Sequence, residues 1–336
     1  MDVSTVVTIT IVAALLFGTF NGFHDAANSI ATVVSTRVMS PRFAVLWAAT
    51  FNFVALWIFG DGVARMIAGI VTIDPSEPGF VWVVLCGVIG ALLWNLLTLA
   101  ARLPSSSSHA LIGSLAGAGI AYAGFDVLVK AKLKLVLYFV VVAPVLAFML
   151  GSLVMLIVAW ALRRWRPQKV DTTFRYGQLV SSAAYAIGHG GNDAQKTMGI
   201  ILAVMIAAGR STGDGGDLPA WIAFASYSSI ALGTAIGGWR IKSMGLGLTH
   251  LKPVGGFAAE VAGAATLVIA STLHVPVSTT HTITGAVVGV GSTNKLRGIR
   301  WGVARRIVWA WVVTIPAAAV VGAAVLAIAR LAGAWG

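Results

Sequence analysis

The chain has 336 residues, of which 58% are hydrophobic and only 10% are charged. Soluble domains carry about 25% charged residues, so this composition excludes a water-soluble globular protein and makes lipid the main solvent. The net charge of +12 does not indicate nucleic-acid binding, because the basic residues cluster at the ends of apolar segments, where they set membrane topology. A single cysteine, Cys86, cannot form an internal disulfide or a thiolate metal site, which argues against redox chemistry.

Several long windows along the chain contain no Lys, Arg, Asp or Glu. In chain order they are 3–24, 103–125, 135–162, 261–294 and 307–329. Several are long enough to cross the membrane, and none alternates apolar and polar residues as β-barrel strands do. They predict an all-α polytopic membrane protein. We expect the first window to be a retained span, because the N-terminus lacks the basic region of a signal peptide.

Two motifs occur twice, which predicts a duplicated unit. GFHDAANSIAT (22–32) resembles GGNDAQKTMGI (190–200), with the aspartates aligned. PSSSSHALIGSLAG (104–117) resembles PVSTTHTITGAVVG (276–289), with Pro, Ser, His and two Gly in one register. The offsets of 168 and 172 residues are both close to half of the 336-residue chain.

We therefore predict a first repeat over 1–162, a basic cytoplasmic linker over 163–175 and a second repeat over 176–336. The linker holds five basic residues. Equivalent loops of the two halves differ in charge, since 37–42 is basic and 210–218 is mainly acidic, as expected for halves of opposite orientation. Inverted repeats with broken helices and re-entrant hairpins are a recurring plan of secondary transporters, whose substrate binds near the bilayer midplane.

This scheme predicts five elements in each half, or about 10–12 membrane segments. It takes both repeated motifs as interruptions of hydrophobic segments, which is where a transporter of this plan binds its substrate. One observation opposes the orientation: Lys130, Lys132 and Lys134 would lie on the outer face, where basic residues are uncommon.

The second motif places a helix-disfavouring proline and a run of hydroxyls before a glycine-spaced apolar helix. The predicted helix starts carry Pro104, Ser106, Ser107 and Ser108 in the first half and Pro276, Ser278, Thr279 and Thr280 in the second. Free backbone N–H groups and the helix dipole at such starts bind oxyanions without arginine. Two starts from opposite halves would hold a tetrahedral anion, whereas the plainer alternative is that the hydroxyls only cap two re-entrant helices.

Asp25 and Asp193 lie among apolar residues, where a carboxylate costs about 3 kcal/mol or more unless it is paired or solvated. Both are functional candidates, with helix capping as the alternative. Asn28, Asn192 and Gln195 add oxygen ligands suited to a hard cation such as sodium. Phosphate keeps P–OH groups that donate hydrogen bonds to a carboxylate, whereas sulfate has no such donor. An anion site lined by these carboxylates is therefore expected to favour phosphate or arsenate over sulfate.

Four further side chains are candidates for ion or proton handling. Lys196 either contacts the anion, replaces a bound cation or snorkels to the interface. His24 and His189 are able to relay protons, although a packing role is favoured for His24. Glu260 is another intramembrane carboxylate.

These motifs resemble those of the inorganic phosphate transporter family, which includes sodium–phosphate symporters and bacterial low-affinity phosphate uptake proteins. The resemblance covers roughly 18–41, 104–117, 188–200 and 252–291. It implies a multi-pass, homodimeric symporter of the plasma membrane, here a bacterial inner membrane, that imports phosphate by alternating access and is not an enzyme. No cofactor is implied beyond the coupling cation, H⁺ or Na⁺, although a divalent metal carried with phosphate stays open.

The residues and the resemblance together predict the site. Phosphate is expected at Asp25, Asn28, Ser106, Ser107, Ser108, Asp193, Gln195, Lys196, Ser278, Thr279 and Thr280. The coupling ion or proton is expected at Asp25, Asn192, Asp193, His189 and Glu260, with sodium, where it is the ion, at Asp25 and Asp193. Lys196 stands where sodium-coupled members have Asn, which favours proton coupling.

Two alternatives stay open. One is a permease for sulfate or another oxyanion on the same fold. The more distant one is a membrane-embedded hydrolase that uses Ser, His and Asp as a nucleophilic triad. The duplication argues against a hydrolase, because one nucleophile and one base would suffice for that reaction.

Overall fold

The computed structural model describes residues 2–74, 77, 79–101, 103, 105–211, 218–237, 251–293 and 300–334, without the side chains of residues 303 and 306. Over these residues the chain is all-helical, as predicted, with two short 3₁₀ helices at Ala55–Trp57 and Phe125–Val127. The α-helices are α1 (Val3–Ser35), α2 (Pro41–Val54), α3 (Gly62–Ala68), α4 (Gly79–Ala100), α5 (Ser107–Ala123), α6 (Lys130–Ala161), α7 (Pro167–Ala207), α8 (Ala220–Gly237), α9 (Pro253–Thr272), α10 (Thr279–Ser292) and α11 (Trp301–Leu331).

The fold is that of a multi-span membrane protein. Among the described helices, six are long and apolar enough to cross a membrane, and a bent pair, α2 with α3 at 87°, would make seven. α5 and α10 are too short to span, because 17 and 14 residues rise only about 25 and 21 Å. They pack against α4 and α9, as expected of re-entrant helices. The predicted total of about 10–12 membrane segments is therefore reached only if helices that are not long and apolar enough to span are counted as well.

The predicted interruptions are confirmed at the hydroxyl motifs, but the prediction of breaks at the Asp motifs was wrong. Asp25 lies within the continuous helix α1, and Asp193 lies within the continuous helix α7. The glycines beside them serve close packing instead. A Cβ atom on Gly22 would lie 2.2 Å from the Ile230 carbonyl oxygen of α8. Small residues at such positions let membrane helices approach closely.

Most of the predicted linker is helical, since only residues 162–166 separate α6 from α7. Pro167 begins α7 at the first helical position, where a missing N–H removes no intrahelical bond. The three lysines that argue against the predicted orientation lie in the first turns of α6; they are Lys130, Lys132 and Lys134. Because α6 has 32 residues, they lie about 45 Å along the helix from the linker, at the opposite end of the bundle.

The two halves of the chain pack reciprocally. The re-entrant helix α5 packs on α11, while α10 packs on α6. In the same way α1 packs on α8, and α7 packs on α2 and α3. α6 and α11 remain at the periphery, where only 22% of the most apolar stretch of each is buried, so their apolar side chains face lipid.

Replacing Gly233 of α8 by valine is expected to lower the melting temperature of the detergent-solubilised protein. A Cβ atom there would lie 2.0 Å from the Thr19 carbonyl oxygen, so α1 and α8 would have to separate. Overpacking of this kind costs about 1–3 kcal/mol. The control is Gly302→Val, because a Cβ atom on Gly302 would meet nothing within 4 Å. Equal melting temperatures for the two variants would contradict this packing.

Candidate functional site

One face of α1 carries three polar side chains at positions i, i+4 and i+7, namely Asn21, Asp25 and Asn28. All three are buried. Asn28 Nδ2 donates a hydrogen bond to Asp25 Oδ1 at 3.1 Å, and His24 Nδ1 lies 3.0 Å from the same oxygen. Asp25 is therefore held by neighbours on its own helix.

Helix α7 repeats this spacing with His189, Asp193 and Lys196, and their side chains are fully buried. The Lys196 ammonium pairs with Asp193 Oδ1 and donates to the Val277 carbonyl oxygen at 3.2 Å. Ser108 Oγ donates to the same carbonyl at 2.8 Å. His189 Nε2 lies 3.1 Å from Asp193 Oδ2. An ammonium and an imidazole thus face the two oxygens of the Asp193 carboxylate.

Both hydroxyl motifs begin helices, as predicted. Ser106 is the N-cap of α5 and Ser278 is the N-cap of α10. Their hydroxyl oxygens accept hydrogen bonds from the backbone N–H groups of His109 and His281, each at 3.3 Å. Pro104 lies outside the described residues. The first turns of both helices keep further N–H groups without an intrahelical partner, which are the groups that bind anions.

The two helix starts meet the polar face of α1. Ser107 Oγ, in the first turn of α5, lies 3.1 Å from Asp25 Oδ2. Asn28 Nδ2 donates to Thr280 Oγ1, in the first turn of α10, at 2.7 Å. Thr279, beside Thr280, is buried as well. The structure therefore brings together Asp25, Asn28, Ser107 and Thr280, which come from both motifs and both halves.

Two polar residues that the sequence analysis missed connect the helices. Asn21 Nδ2 donates to Asp193 Oδ2 at 3.2 Å, while Asn21 Oδ1 accepts from the Ser107 hydroxyl. Ser29 Oγ lies 2.6 Å from His189 Nδ1. The sequence did hold a signal for Asn21, because it lies four residues before the α1 aspartate and aligns with His189 in the repeat.

Asp25, His189 and Asp193 are able to hold a cation together. Each offers one ligand atom, all within 4.8 Å of one another and all buried. Carboxylate oxygens suit hard cations such as sodium, and an imidazole widens the choice towards transition metals or a proton. The geometry alone therefore leaves the ion open.

Glu260 belongs to a separate buried cluster between α1, α7 and α9. Its carboxylate accepts hydrogen bonds from Thr32 Oγ1 at 2.6 Å, Gln178 Nε2 at 2.9 Å and Ser181 Oγ at 2.5 Å. Thr32 lies seven residues beyond Asp25 on α1, which is about 10 Å of helical rise. The Glu260 cluster thus lies about two helical turns along α1 from Asp25. Three hydrogen-bond donors replace water around the Glu260 carboxylate.

Two predicted ligands bind backbone groups instead of joining the central cluster. Gln195 Oε1 accepts from the Val63 N–H at 2.9 Å, and Gln195 Nε2 donates to the Gly191 carbonyl at 2.7 Å. Gln195 therefore fastens the start of α3 to α7. Asn192 Oδ1 accepts from the Val277 N–H at 3.2 Å, which orients the carbonyl group of the segment before α10.

The fold and this site define a class of protein. Two helix starts that carry hydroxyls and N–H groups without an intrahelical partner have the donors that an oxyanion needs, and the adjacent carboxylates have the oxygens that a cation needs, all buried within the helix bundle. This combination is typical of a membrane transporter for an oxyanion.

Comparison with known proteins identifies the family. Residues 21–322 match the family described as the phosphate transporter family, and the chain belongs to it. A probable low-affinity inorganic phosphate transporter of Rhizobium meliloti (strain 1021) is 49% identical over 317 residues, with 93% of each chain covered. One of Bacillus subtilis (strain 168) is 42% identical over 327 residues, covering 96% of this chain and 97% of the relative.

A solved structure titled "The sodium-dependent phosphate transporter" shares the fold. Its TM-score is 0.86 at 25% sequence identity, with 97% of this chain and 99% of that chain covered. The family and the relatives are transporters, so the protein is not an enzyme and the hydrolase alternative is set aside. With bacterial relatives and several spans, it is a protein of the cell membrane.

Replacing Asn21 by alanine is expected to reduce phosphate uptake. The change removes one donor from the buried Asp193 carboxylate and one acceptor from Ser107. A hydrogen bond to a charged group contributes about 1.5–3 kcal/mol, or roughly 10- to 100-fold in affinity. Uptake of radiolabelled phosphate into vesicles measures the effect.

The matched control for this experiment is Asn95→Ala. Asn95 is a buried asparagine of α4 whose side-chain atoms have no hydrogen-bond partner among the described residues. Its replacement is expected to leave the KM for phosphate unchanged. An Asn21→Ala variant that transports like the Asn95→Ala variant would contradict the connecting role of Asn21.

Proposed function

We propose that the protein is a symporter that imports inorganic phosphate across the cell membrane by alternating access, driven by a proton or sodium gradient. One observation carries this proposal: the hydroxyl-bearing starts of α5 and α10 converge on Asp25 and Asn28 of α1 and lie beside the Asp193 and Lys196 pair of α7. The family and its named relatives support phosphate as the substrate.

The arrangement suits phosphate chemically. When phosphate binds, the Ser107 and Ser108 hydroxyls would exchange their present acceptors, Asn21 Oδ1 and the Val277 carbonyl, for phosphate oxygens. The Thr279 and Thr280 hydroxyls and the N–H groups of the two helix starts would donate to the remaining oxygens. Near neutral pH phosphate also carries one or two P–OH groups, which donate to the carboxylates. Since sulfate has no such donor, the carboxylate of Asp25 beside the anion would repel it.

Charge balance requires a coupling cation. Asp25 and Asp193 contribute two negative charges, and Lys196 contributes one positive charge, so the cluster is already net negative before a phosphate anion enters. Excess charge at this depth is costly. Protons on histidines, or sodium at Asp25 and Asp193, would compensate for it.

Lys196 favours proton coupling. Its ammonium lies against both Asp193 Oδ1 and the Val277 carbonyl, in the way that a bound cation would lie. A fixed ammonium at this place removes the need for one sodium ion. Glu260, surrounded by three donors, is the second place where a coupling proton or cation would bind.

Alternating access is proposed as a movement of one half of the chain against the other. The reciprocal packing of α5 on α11 and α10 on α6 supports two related halves, as does the sequence duplication. Because the site lies at the seam between them, a relative movement would expose it to one side at a time. The homodimer is likewise a proposal that rests on the resemblance.

Proteoliposomes with separate ion gradients test the coupling ion. In sodium-free buffer an inward proton gradient is expected to drive phosphate uptake by the unmodified protein. Lys196→Asn is expected to lose most of this uptake and to require sodium, since the amide leaves room for a cation at Asp193. Chelator and added magnesium show whether a divalent metal travels with phosphate.

The control is Lys169→Asn, which removes an exposed lysine of the predicted linker whose ammonium lies over the Trp165 ring. This variant is expected to behave like the unmodified protein. Uptake that requires sodium and ignores the proton gradient in the unmodified protein would overturn proton coupling.

Competition by other anions tests the substrate. Arsenate, which keeps the same protonated form as phosphate, is expected to inhibit uptake of radiolabelled phosphate, while sulfate at the same concentration has little effect. The Asp25→Asn variant is expected to discriminate less, because an amide also donates to sulfate oxygens. Equal inhibition by sulfate and arsenate in the unmodified protein would favour a general oxyanion permease.

A further inference from the structure

A pocket of about 480 Å³ lies between the α2–α3 bend and the end of α9. Its polar lining includes Asp61, Arg65, Gln195, Thr272 and His274. This volume is large enough for a small anion with part of its hydration shell. We call this cavity the outer pocket.

The outer pocket lies at the end of the bundle opposite the basic linker. Lys132 Nζ, in the first turn of α6, lies 3.5 Å from the Arg65 carbonyl oxygen, whereas the linker follows the other end of α6. The 32 residues of α6 separate these ends by about 45 Å. Since the linker is predicted to be cytoplasmic, the pocket opens towards the outside.

The floor of the outer pocket adjoins the candidate site. Gln195 is two residues from Asp193 on α7, and its side chain accepts the Val63 N–H of α3 at 2.9 Å. Ser271, also in the lining, accepts a hydrogen bond from Asn192 at 3.2 Å. The pocket is therefore lined by side chains of α7, or bonded to α7, close in sequence to Asp193.

Arg65 gives the outer pocket its cationic group. Its guanidinium pairs with Asp61 at 2.6 Å, and the two side chains are 28% and 31% exposed, so both are accessible to solutes. A guanidinium has five N–H donors in a planar fork that matches the oxygens of phosphate. The guanidinium is thus paired with Asp61 and still partly exposed in the pocket.

We propose that the outer pocket is a second phosphate site, in which Arg65 binds hydrogen phosphate on the outer face before it reaches the buried site. Asp61 competes with phosphate for the guanidinium and so keeps the binding weak enough for release. This proposal rests on the proposed function, because it assumes that phosphate is the transported ion.

Charge changes at this pair test the proposal through phosphate influx. Arg65→Gln is expected to raise the KM for influx by about threefold or more with kcat unchanged, and the increase should shrink at high salt. Asp61→Asn is expected to lower the KM, because it removes the competitor. If the ion pair only stabilises the fold, both single variants will impair transport in the same direction, which would overturn the proposal.

The chain offers a matched control pair. Asp126 and Lys130 have the same i,i+4 spacing at the same end of the bundle, 3.9 Å apart and more exposed. Asp126→Asn and Lys130→Gln are expected to leave the KM for phosphate unchanged. KM shifts as large as those at the outer pocket would assign the effect to general surface charge and overturn the proposal.

Thiol labelling tests binding without transport. Cys86 is buried and is the only cysteine of the sequence, so a Cys86→Ser, Thr272→Cys variant carries one thiol in the outer pocket. Inorganic phosphate is expected to slow the reaction of this thiol with a membrane-impermeant reagent added from outside. When the variant also carries Arg65→Gln, a higher phosphate concentration is expected to be needed for the same protection. Absent or Arg65-independent protection overturns the second site. Failure of uptake with protection intact would instead contradict the proposed function.

Discussion

The buried ion pair between Lys196 and Asp193 is the interaction on which the candidate site depends. Both side chains are fully buried within a helix bundle that lies in lipid, where an unpaired charge would cost several kcal/mol. The pair alone leaves lone pairs and N–H donors unsatisfied, so Asn21 of α1 and the Val277 carbonyl before α10 complete it. Because these groups come from separate elements, satisfying one ion pair fixes α1, α7 and the start of α10 relative to one another.

The candidate site exists only where the two halves of the chain meet. Asn28 bonds to Thr280, and Ser29 contacts His189, so first-half side chains complete second-half groups. The helix packing has the same character, since each re-entrant helix packs on the last helix of the other half. Any relative movement of the halves would therefore break and remake polar contacts at the site rather than at a distance from it. Such a movement would link anion binding to conformational change without a separate relay.

Local patterns predicted the chemistry of the site but not its long-range partners. The N-caps Ser106 and Ser278 could be read from the sequence, because capping depends on neighbouring residues. The continuity of α1 and α7 through their aspartates could not be read from the sequence. Glycine favours a break in a helix unless another helix packs on it. That error also misplaced Gln195, which lies about 200° around a continuous helix from Asp193. The donors to Glu260 come from positions up to 228 residues away, and no local pattern reports them.

The two halves share a spacing but differ in the side chains that occupy it. α1 places neutral amides, Asn21 and Asn28, on either side of its aspartate, whereas α7 places His189 and Lys196 at the equivalent positions. The ammonium thus lies on α7 against Asp193, whereas the neighbours of Asp25 are a hydroxyl, an amide and the His24 imidazole, with His189 within 4.8 Å. Because the Lys196 ammonium compensates the Asp193 carboxylate, we expect a coupling cation to bind nearer to Asp25. The same spacing on both helices thus presents similar positions to an anion, while His189 and Lys196 make the expected cation site asymmetric.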